Sequence, residues 1–246
     1  MRRFFVPRDA VAEDQVMIRG TQAHHMAVVL RLQPGERVIV FDGSQVDRVV
    51  ELERVAPEQV TGRIVESRPG LHLGIALTLV QGIPKGTKMD DVVRMGTELG
   101  VAEFLPVHTR RTVAEARHRA ARWRRIAIEA AKQSRRSDVP QVHEPVHLGP
   151  ALDAISGHDL ILLLWEGERQ QTIAQALVGA GMPGRVAVIV GPEGGLESAE
   201  VEEATRHGAI PVSLGSLVLR TETAGIVALS MVLYELALRK VVTRDS

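Results

Sequence analysis

The sequence predicts an α/β protein in which a small β-rich module precedes a larger domain of alternating strands and helices. Three observations carry this. Short β-branched runs separated by turn residues fill residues 1 to about 70. From Leu71 onward, Val-, Ile- and Leu-rich strands alternate with helical segments, which indicates βαβ units and a mostly parallel sheet covered on both faces. The length of 246 residues and the 45% hydrophobic content suit one large domain or two small ones with a true core.

In the first module, Arg37–Phe41, Val46–Leu52 and Val60–Val65 read as strands, divided by Asp42-Gly43-Ser44 and by Pro57-Glu58. A helix over Thr21–Leu30, with Thr21 as N-cap, precedes them. Arg68-Pro69-Gly70 marks a boundary, giving domains at 1–70 and 71–246. In the second domain the strands are Ile75–Val80, Glu103–Val107, Leu160–Trp165, Val186–Val190 and Ile210–Leu214. The helices are Asp90–Leu99, stopping at Gly100, Arg119–Ser134, Ile173–Val178, Glu197–His207, stopping at Gly208, and Ala224–Arg239.

Composition narrows the function classes. No apolar run approaches the roughly 18–20 residues of a membrane span, and the start Met1-Arg2-Arg3-Phe4-Phe5-Val6-Pro7 lacks the apolar core of a signal peptide. A cytoplasmic protein is expected. There is no cysteine, hence no disulfide, thiol nucleophile or Cys-ligated metal. His24 and His25 diverge on a helix and have no carboxylate partner at i+4, so no metal is assigned. Net charge is zero, but basic residues are uneven: residues 1–140 hold 23 Lys and Arg against 17 Asp and Glu, and the rest hold 7 against 13. Arg110–Arg136 contains ten basic residues opposed by only Glu115 and Glu129. Such a stripe is either a solvated helix face or a phosphate-backbone contact.

Ligands of an open α/β sheet sit beyond the carboxyl ends of its strands. Three loops there are glycine-bearing: Glu166-Gly167-Glu168, Gly191-Pro192-Glu193-Gly194-Gly195, and Gly215-Ser216-Leu217-Val218-Leu219-Arg220-Thr221-Glu222-Thr223-Ala224. None has the spacing of a Walker loop or a dinucleotide fingerprint. A Pro and a Glu in the central loop disfavour phosphate and suit a neutral or cationic ligand. Spacing alone leaves that ligand unnamed.

Gly191-Pro192-Glu193-Gly194-Gly195-Leu196 with Glu200, and Leu219-Arg220-Thr221-Glu222-Thr223-Ala224, closely resemble the two signature segments of the RsmE family. Those proteins are SPOUT-class methyltransferases acting on N3 of a uridine in 16S rRNA of the small ribosomal subunit. Upstream, His25, Val29-Leu30-Arg31, Gly35-Glu36 and Phe41-Asp42-Gly43 resemble its amino-terminal segment. Lys85-Gly86, Lys88-Met89, Lys132-Gln133-Ser134, Arg135, Arg136 and Val139-Pro140 resemble its central motifs. The match runs in order through nearly the whole chain. Leu217 departs from it, standing where the family usually has an arginine.

The resemblance implies a PUA-like RNA-binding domain, a carboxy-terminal SPOUT domain with a trefoil knot, a homodimer, and S-adenosyl-L-methionine as methyl donor. It implies that Leu164, Trp165, Glu166, Gly191, Pro192, Glu193, Gly194, Leu214, Gly215, Leu219, Thr221, Thr223 and Ala224 line the cofactor site. Glu193 or Glu166 would accept a ribose hydroxyl, while the side chains of Leu164 and Trp165 serve equally as core. Glu222 is expected as base or orienting carboxylate, the alternative being a cap shared with Thr221 or Thr223. Arg220 would stabilise the enolate-like uracil anion, the alternative being a phosphate contact or a salt bridge. Arg2, Arg3, Arg31, Arg122, Arg124, Arg125, Lys132, Arg135 and Arg136 are expected on RNA, mostly on its backbone. Trp123, with Ile126, Ala127, Ala130 and Ala131 at helical spacing, is expected in the core. The competing readings are a methyltransferase of tRNA or of a ribose hydroxyl, and a non-catalytic RNA-binding assembly factor.

Overall fold

The computed structural model describes residues 1–71, 73–113 and 119–242, with side chains in the last helix described as far as Ala237. Glu115 of the basic segment lies outside the described residues. The chain forms two units: residues 1–72 with 131–139, and residues 73–130 with 140–246.

The first unit is a five-stranded sheet. Its strands are β1 (Arg3–Phe5), β2 (Gln15–Arg19), β3 (Arg37–Phe41), β4 (Val46–Val55) and β5 (Gln59–Pro69), in the order β1-β3-β4-β5-β2, with only β1 and β3 parallel. Alternation along β2, where Val16 and Ile18 are buried between exposed neighbours, turns its apolar face onto a core with Phe4, Met26, Val38, Val40, Val50, Leu52 and Val60. The helix expected over Thr21–Leu30 is instead one α-helical turn, α1 (Gly20–His24), followed by a π-helical turn at His25–Val29. Thr21 therefore lies inside α1 and not at its cap. The π turn ends where Arg31 takes a positive φ of 52° and the Leu32 N–H reaches the Met26 carbonyl.

Arg3 and Arg136 are internal in this unit. The Arg3 guanidinium grips Asp47 with two hydrogen bonds, at 2.7 and 2.8 Å, and donates to the Arg136 carbonyl at 2.9 Å. Ser137 Oγ donates to Asp47 as well. Arg136 is buried and forms a forked pair with Asp138. Burial pushes the Asp47 carboxyl up, but hydrogen bonds from Arg3 and Ser137 and the charge of Arg3 outweigh this and hold it below its ordinary value.

The second unit is built on a parallel sheet. Its strands are β6 (Ala76–Gly82), β7 (Val101–His108), β8 (Gln141–Val142), β9 (Val146–His147), β10 (Leu160–Leu164), β11 (Arg185–Val190) and β12 (Ala209–Val212). Their order is β12-β10-β11-β6-β7-β8, with β9 also on β7. The helices are α2 (Lys88–Leu99), α3 (Ala120–Gln133), α4 (Leu148–Ile155), α5 (Ile173–Ala180), α6 (Ser198–Arg206) and α7 (Thr221–Val242). Buried strand runs such as Leu160–Leu163 and Val186–Val190 confirm a sheet covered on both faces. One face carries α4 and α6, whose Leu148, Leu152, Ile155, Val201 and Ala204 pack on Ile161, Leu163, Ala187 and Ile189. α7 lies on β6 and β11 together with α2 and α5. α2 is amphipathic, burying Met89, Val92, Val93, Gly96 and Thr97, and stops at Gly100 as expected. Trp123 of α3 is fully buried, so it is core and not a stacking platform.

Because all strands are parallel, the loops after β10, β11 and β12 leave from one edge. The strand order places β10 between β11 and β12, which sets the three glycine-bearing loops side by side.

Candidate active site

The three loops enclose a cleft of about 850 Å³. Of the residues expected there, Leu164, Trp165, Glu166, Gly191, Pro192, Glu193, Leu214, Gly215, Leu219, Arg220, Thr221 and Ala224 line it. Gly194, Glu222 and Thr223 are not among the residues that line it. Glu168, Ser216, Leu217 and Val218 of the glycine-bearing loops line it as well, and Lys88, Arg169 and Ser213 join them from outside the expected set.

The central loop is held tightly. Gly82, the last residue of β6, has no side chain because the Pro192 nitrogen lies 2.5 Å from where its Cβ would stand. Gly195 takes a positive φ of 70° and returns its N–H to the Pro192 carbonyl at 2.9 Å, closing the turn. Thr221 Oγ1 donates to the Gly191 carbonyl at 2.6 Å and accepts from Gln81 Nε2 at 2.8 Å, so the start of α7 is bonded to the ends of β6 and β11. Arg111 donates to the Gly194 carbonyl at 2.7 Å. Glu200 is buried in a capping box at the start of α6, accepting the N–H groups of Glu197 and Arg110 at 2.9 and 2.8 Å.

The charged side chains divide into occupied and available. Glu193 Oε1 accepts from the Lys85 N–H and from Lys88 Nζ, both at 3.0 Å. Burial pushes its carboxyl up, but the Lys88 ammonium and the backbone N–H groups more than reverse this, leaving it below its ordinary value. The same contact, chiefly the hydrogen bond to Glu193, raises Lys88. Lys88 Nζ also lies 3.5 Å from Glu222 Oε2, an atom shielded from solvent that accepts no hydrogen bond among the described residues. Glu166, by contrast, is exposed at the cleft and engages no hydrogen bond or ion pair among the described residues. The Arg220 guanidinium is exposed and equally unpaired among them, while its carbonyl accepts the Thr223 and Ala224 N–H groups. Glu168 is spent on its own loop, accepting three consecutive backbone N–H groups from Arg169, Gln170 and Gln171, which lower its pKa.

The residues expected on RNA are likewise unequal. Arg122 pairs with Asp90, and Arg124 donates to the Val142 carbonyl and pairs with Glu144. Arg125, Arg31 and Arg135 are exposed, and the guanidinium groups of all three are unpaired among the described residues. Lys132 is half-buried, and Arg2 is exposed with a long contact to the Leu30 carbonyl. Arg3 and Arg136, being internal, present no free guanidinium.

The cleft suits a donor of S-adenosylmethionine size, with backbone groups from three strand ends and, in Glu166, a carboxylate unengaged among the described residues. Lys88 was hidden from sequence spacing because its partners lie 105 and 134 positions away along the chain. The single available clue was its place in the Lys88-Met89 motif.

Comparison with known proteins agrees with this geometry. The family model described as an RNA methyltransferase domain matches residues 72–233, and an RNA methyltransferase PUA domain matches residues 18–65. The chain is 32% identical over 248 residues to the Ribosomal RNA small subunit methyltransferase E of Bacillus subtilis, covering 96% of this chain and 97% of that one. It is 32% identical over 233 residues to the protein of that name from Synechocystis, covering 94% and 76%. Among solved structures it resembles the Neisseria gonorrhoeae Ribosomal RNA small subunit methyltransferase E bound to S-adenosyl methionine (29% identity, TM-score 0.83, covering 94% and 96%). A Legionella pneumophila methyltransferase structure with bound SAM matches at 31% identity and TM-score 0.81, covering 94% and 96%.

Proposed function

The chain belongs to the RNA methyltransferase family that includes Ribosomal RNA small subunit methyltransferase E, and from this we propose that it methylates N3 of a uridine in 16S rRNA, using S-adenosylmethionine. The observation that carries the reading is the convergence of three glycine-bearing loops on one cleft, with Arg220 on its lining and Glu222 beside it. A homodimer in the cytoplasm, acting on the small ribosomal subunit, is part of the same reading. So is a division of labour in which residues 1–70 form an RNA-binding domain, while residues 71–246 hold the methyl donor and add further RNA contacts.

When bound, S-adenosylmethionine supplies an activated methyl group whose bond to sulfur breaks as the bond to nitrogen forms. Backbone groups of Leu164, Trp165, Glu166, Gly191, Gly194, Leu214 and Leu219 would hold its adenine and ribose. Between the two carboxylates expected to take a ribose hydroxyl, Glu166 is the better acceptor, because Glu193 is engaged by Lys85 and Lys88. Glu222 receives the proton from N3, and the unpaired Arg220 guanidinium steadies the negative charge left on the uracil ring. Of the basic residues, Arg31, Arg125 and Arg135 carry the phosphate contacts, with Arg2, Arg122, Arg124 and Lys132 supporting them.

The test is transfer of tritium from labelled S-adenosylmethionine to small subunits lacking the modification, followed by mass-spectrometric mapping. We expect label on one uridine base. No transfer with RNA binding intact indicates an assembly factor, and label on tRNA or a ribose hydroxyl indicates a different methyltransferase; either result rejects the reading.

A further inference from the structure

Lys88, in the first turn of α2, belongs to none of the glycine-bearing loops, yet its ammonium stands between the central loop and the start of α7. It donates to Glu193 Oε1 at 3.0 Å and lies 3.5 Å from Glu222 Oε2. Glu193 is fixed from a second side by the Lys85 N–H at 3.0 Å. Lys85 N–H and Lys88 Nζ thus converge on one carboxylate oxygen, which draws the flexible lysine stem to the loop. Glu222 has no comparable mooring. Its Oε2 is shielded from water and accepts no hydrogen bond among the described residues, so a nearby cation is what can hold it in place. Among the described residues, Lys88 is the cation within ion-pair distance.

We propose that Lys88 is a positioning residue which, anchored by Glu193, holds Glu222 as an aimed carboxylate with Oε2 toward the ammonium and Oε1 left to receive the uridine proton. The inference rests on the role given to Glu222 above. It assigns Lys88 no contact with substrate or methyl donor. It also explains why Glu193, which lines the donor cleft, is committed to a cation and not left open.

The experiment compares Lys88→Met, Lys88→Arg, Glu222→Gln and the Lys88→Met/Glu222→Gln double variant. Each is assayed for steady-state methylation of small subunits, for S-adenosylmethionine affinity by calorimetry, and for thermal stability. Lys88→Met is expected to lower kcat about 100-fold, leaving KM for the subunit and the donor affinity within about twofold. Lys88→Arg, which keeps the charge, should recover about tenfold of that loss. The double variant should be no slower than Glu222→Gln, because both changes remove one function. If the Met variant melts early, Lys88→Gln gives the same comparison with a shorter, uncharged donor. Full turnover by Lys88→Met beside an impaired Glu222→Gln overturns the role of Lys88 and leaves that of Glu222. Multiplicative losses in the double variant, or a loss confined to donor affinity, overturn it too. Full turnover by Glu222→Gln removes the reading of Glu222 and the proposal with it.

Discussion

One buried oxygen, Thr221 Oγ1, joins three parts of the second unit by its two hydrogen bonds. Thr221→Val keeps the shape and removes both, leaving the Gly191 carbonyl without that donor. We expect a loss of about 1–3 kcal/mol in urea unfolding and about tenfold weaker S-adenosylmethionine binding by calorimetry. In the first unit, the depressed pKa of Asp47 has a pH signature. Its stabilisation is fully present above the ordinary value of 3.8 and is lost as pH falls through the lower folded value. Urea midpoints of the wild type should exceed those of Asp47→Asn near neutrality, and the gap should narrow as pH falls below 3.8. At this scale the sequence speaks unevenly. Arg3 reads like any terminal arginine, because its partners Asp47 and Ser137 lie 44 and 134 positions away. A phosphate and a buried aspartate call for the same guanidinium.

Elements were legible where periodicity was strong. The strands and helices of the βαβ units lie within a few residues of where alternating apolar runs and glycine stops put them. α4 escaped, because Gly149 and Pro150 look like a break, whereas proline is tolerated in a first helical turn. β1 and β2 are short, and their burial comes from pairing with β3 and β5. The π turn has no signature in local spacing. A close packing of two backbones is equally silent in sequence, and Gly82 against Pro192 is the case with the largest consequence. In Gly82→Ala the new Cβ meets backbone atoms 2.5 to 2.8 Å away, which cannot swing aside as a side chain would. The central loop must shift. Donor affinity should fall more than about tenfold while the far-ultraviolet circular dichroism stays near wild type; unchanged affinity would show that the loop tolerates displacement.

For the whole molecule, the ordered motifs made family and cleft readable in advance, while the occupied state of each charge had to come from the fold. That difference bears on RNA binding. Replacing Arg125 or Arg135 by alanine should each reduce the slope of log affinity against log salt by about 0.7–0.9. Arg3→Ala should leave that slope alone and lower stability instead; filter binding to small-subunit RNA over a salt series separates the two. Finally, the lock made by Gln81 and Thr221 joins positions 140 residues apart. A polypeptide leaves the ribosome from its amino terminus, and distant partners meet late. A nascent chain halted short of Thr221 has its early strands and no closed donor cleft. Catalytic competence thus arrives with the final helix, so an unfinished copy of the enzyme is a silent one, unable to spend methyl donor before its synthesis ends.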